Sequence, residues 1–313
     1  MGYTNKGQVF TSAINELSIG VGEQAITLGG QNTYNLYSFD AEAKNAPKVG
    51  IEVSDEGTAG YPEKLAAFYA GCEDTVSRAK KASEAEGADF VVLRFNSADP
   101  NGENKSVEDC VAVAKAVSEA VEKPLAIMGC KNIEKDTELF NKVSEALQGK
   151  NILLLSAREE NYKSVGASAG LAYNQKVGAE SAVDINLAKQ LNVLMTQLGV
   201  SAKNVAMNVG SAAAGYGFEY VISTLDRVKG AALTQGDAML QMPIVTPVST
   251  ETWNVKESMA TEADMPEWGS QEERAIDMEV ETAAACLVSG SDAVILRHPE
   301  SVKTISALIA GLM

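Results

Sequence analysis

The sequence predicts an eight-stranded (β/α)8 barrel of the TIM type, preceded by an N-terminal extension. Three observations predict it. From Pro47 onward, a short apolar run is followed by a helical pattern eight times in succession. The runs are apolar at successive positions, as parallel strands covered on both faces must be. The segment after the first run reads Ser54-Asp55-Glu56-Gly57-Thr58. It lacks the Gly-rich phosphate fingerprint that opens a doubly wound sheet, and eight units exceed the usual strand count of such an open sheet. The expected boundaries are 1–46 for the extension, as a barrel cap or partner-docking segment, and 47–313 for the barrel.

In chain order, residues 19–28 alternate apolar positions around Gly20 and Gly22 and read as a short hairpin. Gly29-Gly30 turns the chain, and residues 34–39 are expected as a further strand. Residues 48–53 (Lys-Val-Gly-Ile-Glu-Val) form the first barrel strand, and 63–86 one helix ended by Gly87. Residues 89–95 are the second strand. Ser106 caps the next helix, with Asp109 three residues on. There Val107, Cys110, Val111, Ala114 and Val117 recur with a period of about 3.6. The third strand is 124–128, with its helix at 134–147. The fourth is 151–155, with helix to about 174. The fifth is 179–183, after which Asp184 caps a helix over 185–198. The sixth is 204–208, with a helix over 218–233, and the seventh is 243–246. An insertion over 248–270 carries both tryptophans, Trp253 and Trp268, and reads as a lid or a docking surface. A helix over 271–289, the eighth strand 292–296 and a helix over 299–312 complete the barrel.

The chain has 313 residues, 45% of them hydrophobic, which supports a large core and excludes a disordered chain. Its 42 acidic and 26 basic residues give a net charge of −16. No basic cluster exists to displace counterions, so neither nucleic acid nor an anionic membrane surface is an expected partner. No apolar run approaches the roughly 20 residues of a membrane span. The start, Met1-Gly2-Tyr3-Thr4-Asn5-Lys6-Gly7, is polar without a signal-peptide pattern, so a cytoplasmic location is expected. Cys72, Cys110, Cys130 and Cys286 are scattered without a Cys-x-x-Cys pair, weak spacing for disulfides or an iron–sulfur cluster. Each is expected as a small buried residue. Only Cys130, just after a strand, is a site candidate.

Barrel chemistry sits where the strands end at their carboxyl side. The strand ends carry Glu52 and Asp55; Arg94, Asn96 and Asp99; Gly129-Cys130; Ser156, Arg158, Glu159, Glu160 and Asn161; Asn208 and Ser211; Thr246; and Arg297-His298. The stretch 204–220 stands out. An apolar strand ends on Asn208 and enters a loop of small residues: Gly210, Ser211, Ala212 to Ala214, Gly215 and Gly217. Small residues let backbone approach a ligand closely; a plain strand-to-helix connection is the other reading. On the ligand reading, Ala213→Trp obstructs the rim and leaves the fold untouched. His298 is the only histidine, which excludes any site built on two. No Gly-x-Ser-x-Gly elbow is present. His298-Pro299 at a helix start reads as a cap or a base. Glu159 and Glu160 are an acid–base pair or partners of a helix dipole. The ring is rich in amides and hydroxyls, which suits a large ligand with many amide groups.

Several segments resemble the small (delta) subunit of the corrinoid iron–sulfur protein, part of the acetyl-CoA decarbonylase/synthase system. They are Asp99-Pro100-x-Gly102-x-Asn104-x-Ser106, Glu159-x-Asn161-Tyr162-Lys163, and Asp184-Ile185-Asn186 with Lys189-Gln190-Leu191-Asn192. To these add Gly215-Tyr216-Gly217-Phe218-Glu219-Tyr220, Gly236-Asp237-x-Met239-Leu240-x-Met242-Pro243, Trp268-Gly269 and Arg297-His298-Pro299-Glu300. The resemblance implies a barrel similar to pterin-dependent methyltransferases. It implies a large (gamma) subunit as partner, carrying a [4Fe–4S] cluster and a corrinoid domain, with a cobamide held between that domain and this barrel. Methyl would pass from methyltetrahydrofolate, through a methyltetrahydrofolate methyltransferase, to Co(I), and on to acetyl-CoA synthase/CO dehydrogenase in the reductive acetyl-CoA pathway. This chain would be a non-catalytic platform. The cofactor-binding candidates are Asn96, Asp99, Gly102, Asn104, Cys130, Glu159, Asn161, Asn208, Ser211, Gly215, Thr246, Arg297 and His298, with no catalytic residue and no metal ligand. Two departures stand out. Asn208-Val209 replaces the Asp-Pro usual in the family, and the first forty residues match poorly. The alternative is a self-contained pterin-binding barrel methyltransferase, with Asn96, Asp99 and Asn208 reading the pterin.

Overall fold

The computed structural model describes residue 2 and residues 6–313. Most of the polar start, and with it the expectation of a cytoplasmic location, lies outside the described residues.

A hairpin comes first, β1 (Leu17–Ile19) and β2 (Ile26–Leu28), paired antiparallel with Leu17 opposite Leu28. The barrel follows: β3 (Lys48–Ser54), β4 (Phe90–Arg94), β5 (Leu125–Met128), β6 (Leu153–Ala157), β7 (Lys176–Glu180), β8 (Val205–Asn208), β9 (Val245–Thr246) and β10 (Ala293–Leu296). All pairings in this sheet are parallel, in the order β8-β7-β6-β5-β4-β3-β10-β9. A parallel bridge between Met207 and Ile244 brings the two ends together and closes the ring. The eight-strand barrel expected from the repeat is therefore present. Gly50 in β3 is required by the packing, because a Cβ there would sit 2.5 Å from the Phe90 ring.

The outer layer contains α1 (Glu63–Phe68), α2 (Thr75–Ser83), α3 (Val107–Ala120), α4 (Ile133–Ala146), α5 (Tyr162–Val165), α6 (Ile185–Leu198) and α7 (Phe218–Thr234). It continues with α8 (Val248–Thr252), α9 (Lys256–Met259), α10 (Gln271–Ser289) and α11 (Pro299–Leu312). Caps fix several starts. Ser106 accepts from Asp109 N–H, Asp184 from Asn186 and Leu187 N–H, and Ser270 from Glu273 N–H.

Four expectations are corrected. The helix expected over 63–86 is two helices. Gly71 at φ +80° turns the chain, and Asp74 and Ser77 restart it with a reciprocal cap. The fourth-unit helix is α5 followed by a wider π-helical coil over Gly166–Ala172. The fifth strand is β7, three residues earlier than expected. Ala182 and Val183 take φ of +47° and +66° and cannot continue a strand. The strand's true start hides behind Lys176, a buried amine that donates to Asn204 Oδ1 at 2.7 Å. Residues 34–39 form turns rather than a strand, with Tyr37 N–H bonded to Tyr34 O and Asp40 N–H to Tyr37 O.

The N-terminal segment packs onto the end of the barrel where the strands begin. Leu17, Ile19 and Leu28 are buried among the interior side chains Phe90, Val92, Ala126, Leu153 and Ala293. Each such burial contributes roughly 1.5–3 kcal/mol. The hairpin is tied there by Gly20 N–H to Asn151 O (2.8 Å) and by the Asn151 amide to Ser18 O and Gly20 O. Gln31 and Asn35 donate to Asp292, which also forms a buried ion pair with Lys229 at 2.9 Å. Apolar side chains and this hairpin fill the lower barrel interior, with the Lys229–Asp292 pair buried at its edge.

Candidate functional site

The upper layer of the barrel is charged. Glu52 of β3 faces Arg297 at 2.8 Å and Arg94 of β4 at 3.6 Å, and accepts from Ser249 Oγ at 2.8 Å. Burial opposes ionisation of Glu52. The fields of Arg297 and Arg94 outweigh it and hold the carboxyl down at about 2.

Two cavities open around this cluster. The first, about 210 Å³, lies over β5 to β8 and is lined by Arg94, Arg158, Glu180, Asn208, Ser211 and Thr250, among others. Arg158 pairs with Glu180 at 2.8 Å. Asn208 donates to Ser156 Oγ at 2.8 Å and accepts from Gly210 N–H at 3.0 Å. Asp136, near the start of α4, accepts from Cys130 and Lys131 N–H, and burial raises its carboxyl. Gly129 is needed beside it, because a Cβ there would run into the Asp136 carboxylate. The second cavity, about 340 Å³, is lined by Ser54, Glu56, Tyr61, Asn96, Trp253 and Arg297.

The predicted residues therefore divide. Asn208 and Ser211 line the first cavity. Asn96 and Arg297 line the second, Asn96 donating to Glu56 at 3.1 Å. Asp99, Gly102 and Asn104 form a self-contained loop beside neither cavity. Asp99 O accepts from Gly102 and Asn104 N–H, and Asn104 accepts from Lys135 Nζ at 3.0 Å. Cys130 points its thiol at Asp136 (3.3 Å). Burial, reinforced by that carboxylate, pushes it up to about 12, so it is no thiolate nucleophile. Glu159 is exposed, whereas Asn161 is buried, bonding Arg158 N–H and Thr137 Oγ1. Gly215 lies on an open groove beside Phe218 and Ile222. Thr246 is fully buried against Ser291 Oγ at 2.7 Å.

His298 is fully buried and caps α11: its Nδ1 accepts from Glu300 N–H, so Nε2 carries the proton and donates to Glu272 at 3.1 Å. Burial lowers its pKa. Trp253 stacks on it and donates to Glu279, a fully buried carboxylate that also accepts from Arg297 and His298 N–H. Burial pushes Glu279 up. Trp268 lies under the cations of Lys256 and Arg274. Trp253 is thus folded into the barrel, whereas Trp268 is half-exposed in a largely exposed stretch of the insertion.

Two readings do not survive this geometry. Asn96, Asp99 and Asn208 do not converge on one pocket, so that trio cannot read a pterin. Ala213 is 1% exposed, so Ala213→Trp would overpack the loop rather than leave the fold untouched. The residues missed were Lys131, Asp136, Glu180, Thr250 and Glu251. Glu180 was lost with the misplaced fifth strand. Thr250 and Glu251 lie in the insertion, which a strand-end rule does not reach.

Among the described residues no group of three or more His, Cys, Asp or Glu is placed to hold a metal ion, and no helix is long and apolar enough to cross a membrane. A closed parallel barrel with a polar, amide-bearing mouth defines the class as a (β/α)8 barrel. Solved structures share that fold. Dihydropteroate synthase from Xanthomonas albilineans with 4-aminobenzoic acid superposes with TM-score 0.57 at 12% identity, over 95% of this chain and 98% of that one. The enzyme from Thermus thermophilus in complex with 6HMPPP gives 0.53 at 16%, over 95% and 100%. The chain belongs to the CO dehydrogenase/acetyl-CoA synthase delta subunit family, whose model matches residues 16–309. It is 30% identical to the acetyl-CoA decarbonylase/synthase complex subunit delta of Methanocaldococcus jannaschii, over 91% of this chain and 69% of the relative. It is also 30% identical to the Archaeoglobus fulgidus subunit (94% and 65%) and to that of Methanothermobacter thermautotrophicus (94% and 74%). The chain thus spans about two thirds to three quarters of the length of these relatives.

Proposed function

We propose that this chain is the small subunit of a corrinoid iron–sulfur methyl carrier, acting as a platform that covers one side of a cobamide held by a large (gamma) subunit. The observation that carries the reading is the family match across residues 16–309. The mouth of the barrel agrees with it in chemistry. A cobamide is several times larger than either cavity, so on this reading the chain covers one side of it and the large subunit the rest. When bound, the cobamide would supply the cobalt chemistry for moving a methyl group between methyltetrahydrofolate, by way of a methyltransferase, and acetyl-CoA synthase/CO dehydrogenase. The chain's own residues orient and shield. Asn208 and Arg158 carry the hydrogen-bonding groups that would meet the amide-bearing rim of a corrin. The Glu52–Arg94–Arg297 cluster keeps the floor beneath them rigid. The [4Fe–4S] cluster belongs to the large subunit, and the complex works in the cytoplasm.

The test is co-expression with a large subunit, followed by gel filtration. A co-eluting pair with a visible corrinoid spectrum is expected. A monomer that ignores the large subunit overturns the reading. A second reading, a pterin-binding methyltransferase, draws on the small polar cavity at the ligand end of the fold. Turnover of methyltetrahydrofolate with free cob(I)alamin by the chain alone would establish it instead.

A further inference from the structure

Two lysines are buried among the described residues, and their partners differ. Lys229 is 1% exposed and pairs with Asp292 at 2.9 Å. Lys176, the first residue of β7, is 8% exposed and forms no ion pair among the described residues. Its Nζ donates only to the neutral Asn204 Oδ1, at 2.7 Å. An ammonium group has more than one N–H to place, so donors remain without a protein partner. Burial acts alone on this amine and lowers its pKa, with no carboxylate near enough to pull it back. A buried charge without a counter-charge is costly, and folded proteins pair such a group or hold an ion against it.

The surroundings of Lys176 narrow the ion. With Val21, Gln148, Asn151, Tyr173 and Asn174 it lines an open cavity of about 500 Å³, at the end of the barrel where the strands begin. No carboxylate is in that lining, although the chain carries a net charge of −16 and the other cavities at the mouth and on the flank each include at least one. Neutral donors stand around the amine instead. Asn174 Oδ1 accepts from Asn204 Nδ2 at 2.7 Å, which leaves the Asn174 amide N–H groups for a ligand. Gln148 and the Tyr173 hydroxyl add further donors. The carbonyl ends of α4 and of the π-helical coil lie on this side and favour a cation. They carry only a fraction of a charge, and none of their oxygens is bonded to Lys176 Nζ, so they do not neutralise it. We propose that this cavity binds a small oxyanion, a phosphate or carboxylate group, held by Lys176 and the Asn174 amide. Val21 and Ala172 supply apolar wall for carbon attached to that group. The site lies at the opposite end of the barrel from the mouth, so it stands or falls independently of the corrinoid reading.

The variants are Lys176→Met, which keeps the apolar stem and removes the charge, and Asn174→Asp, which keeps the shape and adds a carboxylate at the rim. Asn174 is exposed and takes φ +52°, a conformation that Asp also adopts, so the second variant folds even where the first does not. The full chain is titrated with sodium phosphate and with sodium acetate at constant ionic strength, by calorimetry and by Tm. Wild type is expected to bind one anion per chain saturably, with Tm rising as the anion is added. Affinity should fall about tenfold or more in each variant, through loss of a charge-assisted hydrogen bond or gain of a repelling carboxylate. Tighter phosphate than acetate assigns a phosphate-bearing ligand, and the reverse a carboxylate. The proposal is overturned if wild type binds neither probe saturably, or if any folded variant binds as tightly as wild type. If Lys176→Met does not fold, Asn174→Asp decides alone.

Discussion

Two strand ends on the same barrel mouth use polar residues in opposite ways. At the end of β10, Arg297, His298, Glu279 and Glu272 form a closed network. His298 uses both ring nitrogens, and Glu279 accepts from two backbone N–H groups and from Trp253. At the ends of β4 and β8 and in α8, Arg94, Ser211 and Thr250 line a cavity, and each keeps one buried polar atom unpaired within the protein. A titratable residue at a barrel mouth is thus not by itself a sign of function. What separates the two regions is whether hydrogen bonds remain to be made.

The largest expected effect tests the anchor shared by both regions. Glu52→Leu strands Arg94 and Arg297 without their carboxylate and should destabilise by about 3–5 kcal/mol in denaturant unfolding. A loss below about 1 kcal/mol would mean that the cluster is not holding the floor. Acid should reproduce part of this effect. The folded carboxyl sits near 2 against an ordinary 4.5, so its contribution is complete above the unfolded value and fades as pH falls from about 4.5 toward 2. It amounts to about 3 kcal/mol. Glu52→Gln should flatten this acid limb in stability curves recorded against pH.

A smaller effect belongs to the closed network. His298→Ala removes a helix cap and a stacking partner and should cost about 1–2 kcal/mol, with no change in corrinoid retention. Reduced retention at unchanged stability would move His298 into the open region. Its lowered pKa has a defined sign as well: below the ordinary 6.5 the unfolded chain binds the proton more readily, so this group lowers stability as pH falls. Asn208→Asp restores the residue usual in the family. The new carboxylate sits near Glu180, whose Oε2 is 3.5 Å from the Asn208 amide nitrogen. About 1 kcal/mol of destabilisation at neutral pH, relieved in acid, is expected, read by thermal unfolding at two pH values. The smallest effect is that of Thr250→Val, which should leave stability within about 0.5 kcal/mol or raise it.

Much of the fold was legible in residues. Ser106 and Asp184 announced helix starts because a side-chain oxygen must satisfy free N–H groups wherever a helix begins. The spans 271–289 and 299–312 match α10 and α11 in full. The fifth strand failed because Lys176 reads as polar and exposed, yet is buried against Asn204 from the segment just before β8. Asn208 and Ser211, named for their place after an apolar strand, line the first cavity, while Asp99, Gly102 and Asn104, named on motif alone, lie beside neither cavity.

The sequence by itself determined the repeat of strand and helix, the exclusion of a site built on two histidines, and the family, because these follow from local periodicity, composition and motif order. Only the tertiary structure decided that His298 is a cap, that Trp253 is buried, and that Glu180 and Thr250 meet Asn208 at one cavity. Pairing and burial are properties of side chains far apart along the chain. Whether a polar atom is satisfied depends on which of those distant partners the closed barrel brings within about 3 Å.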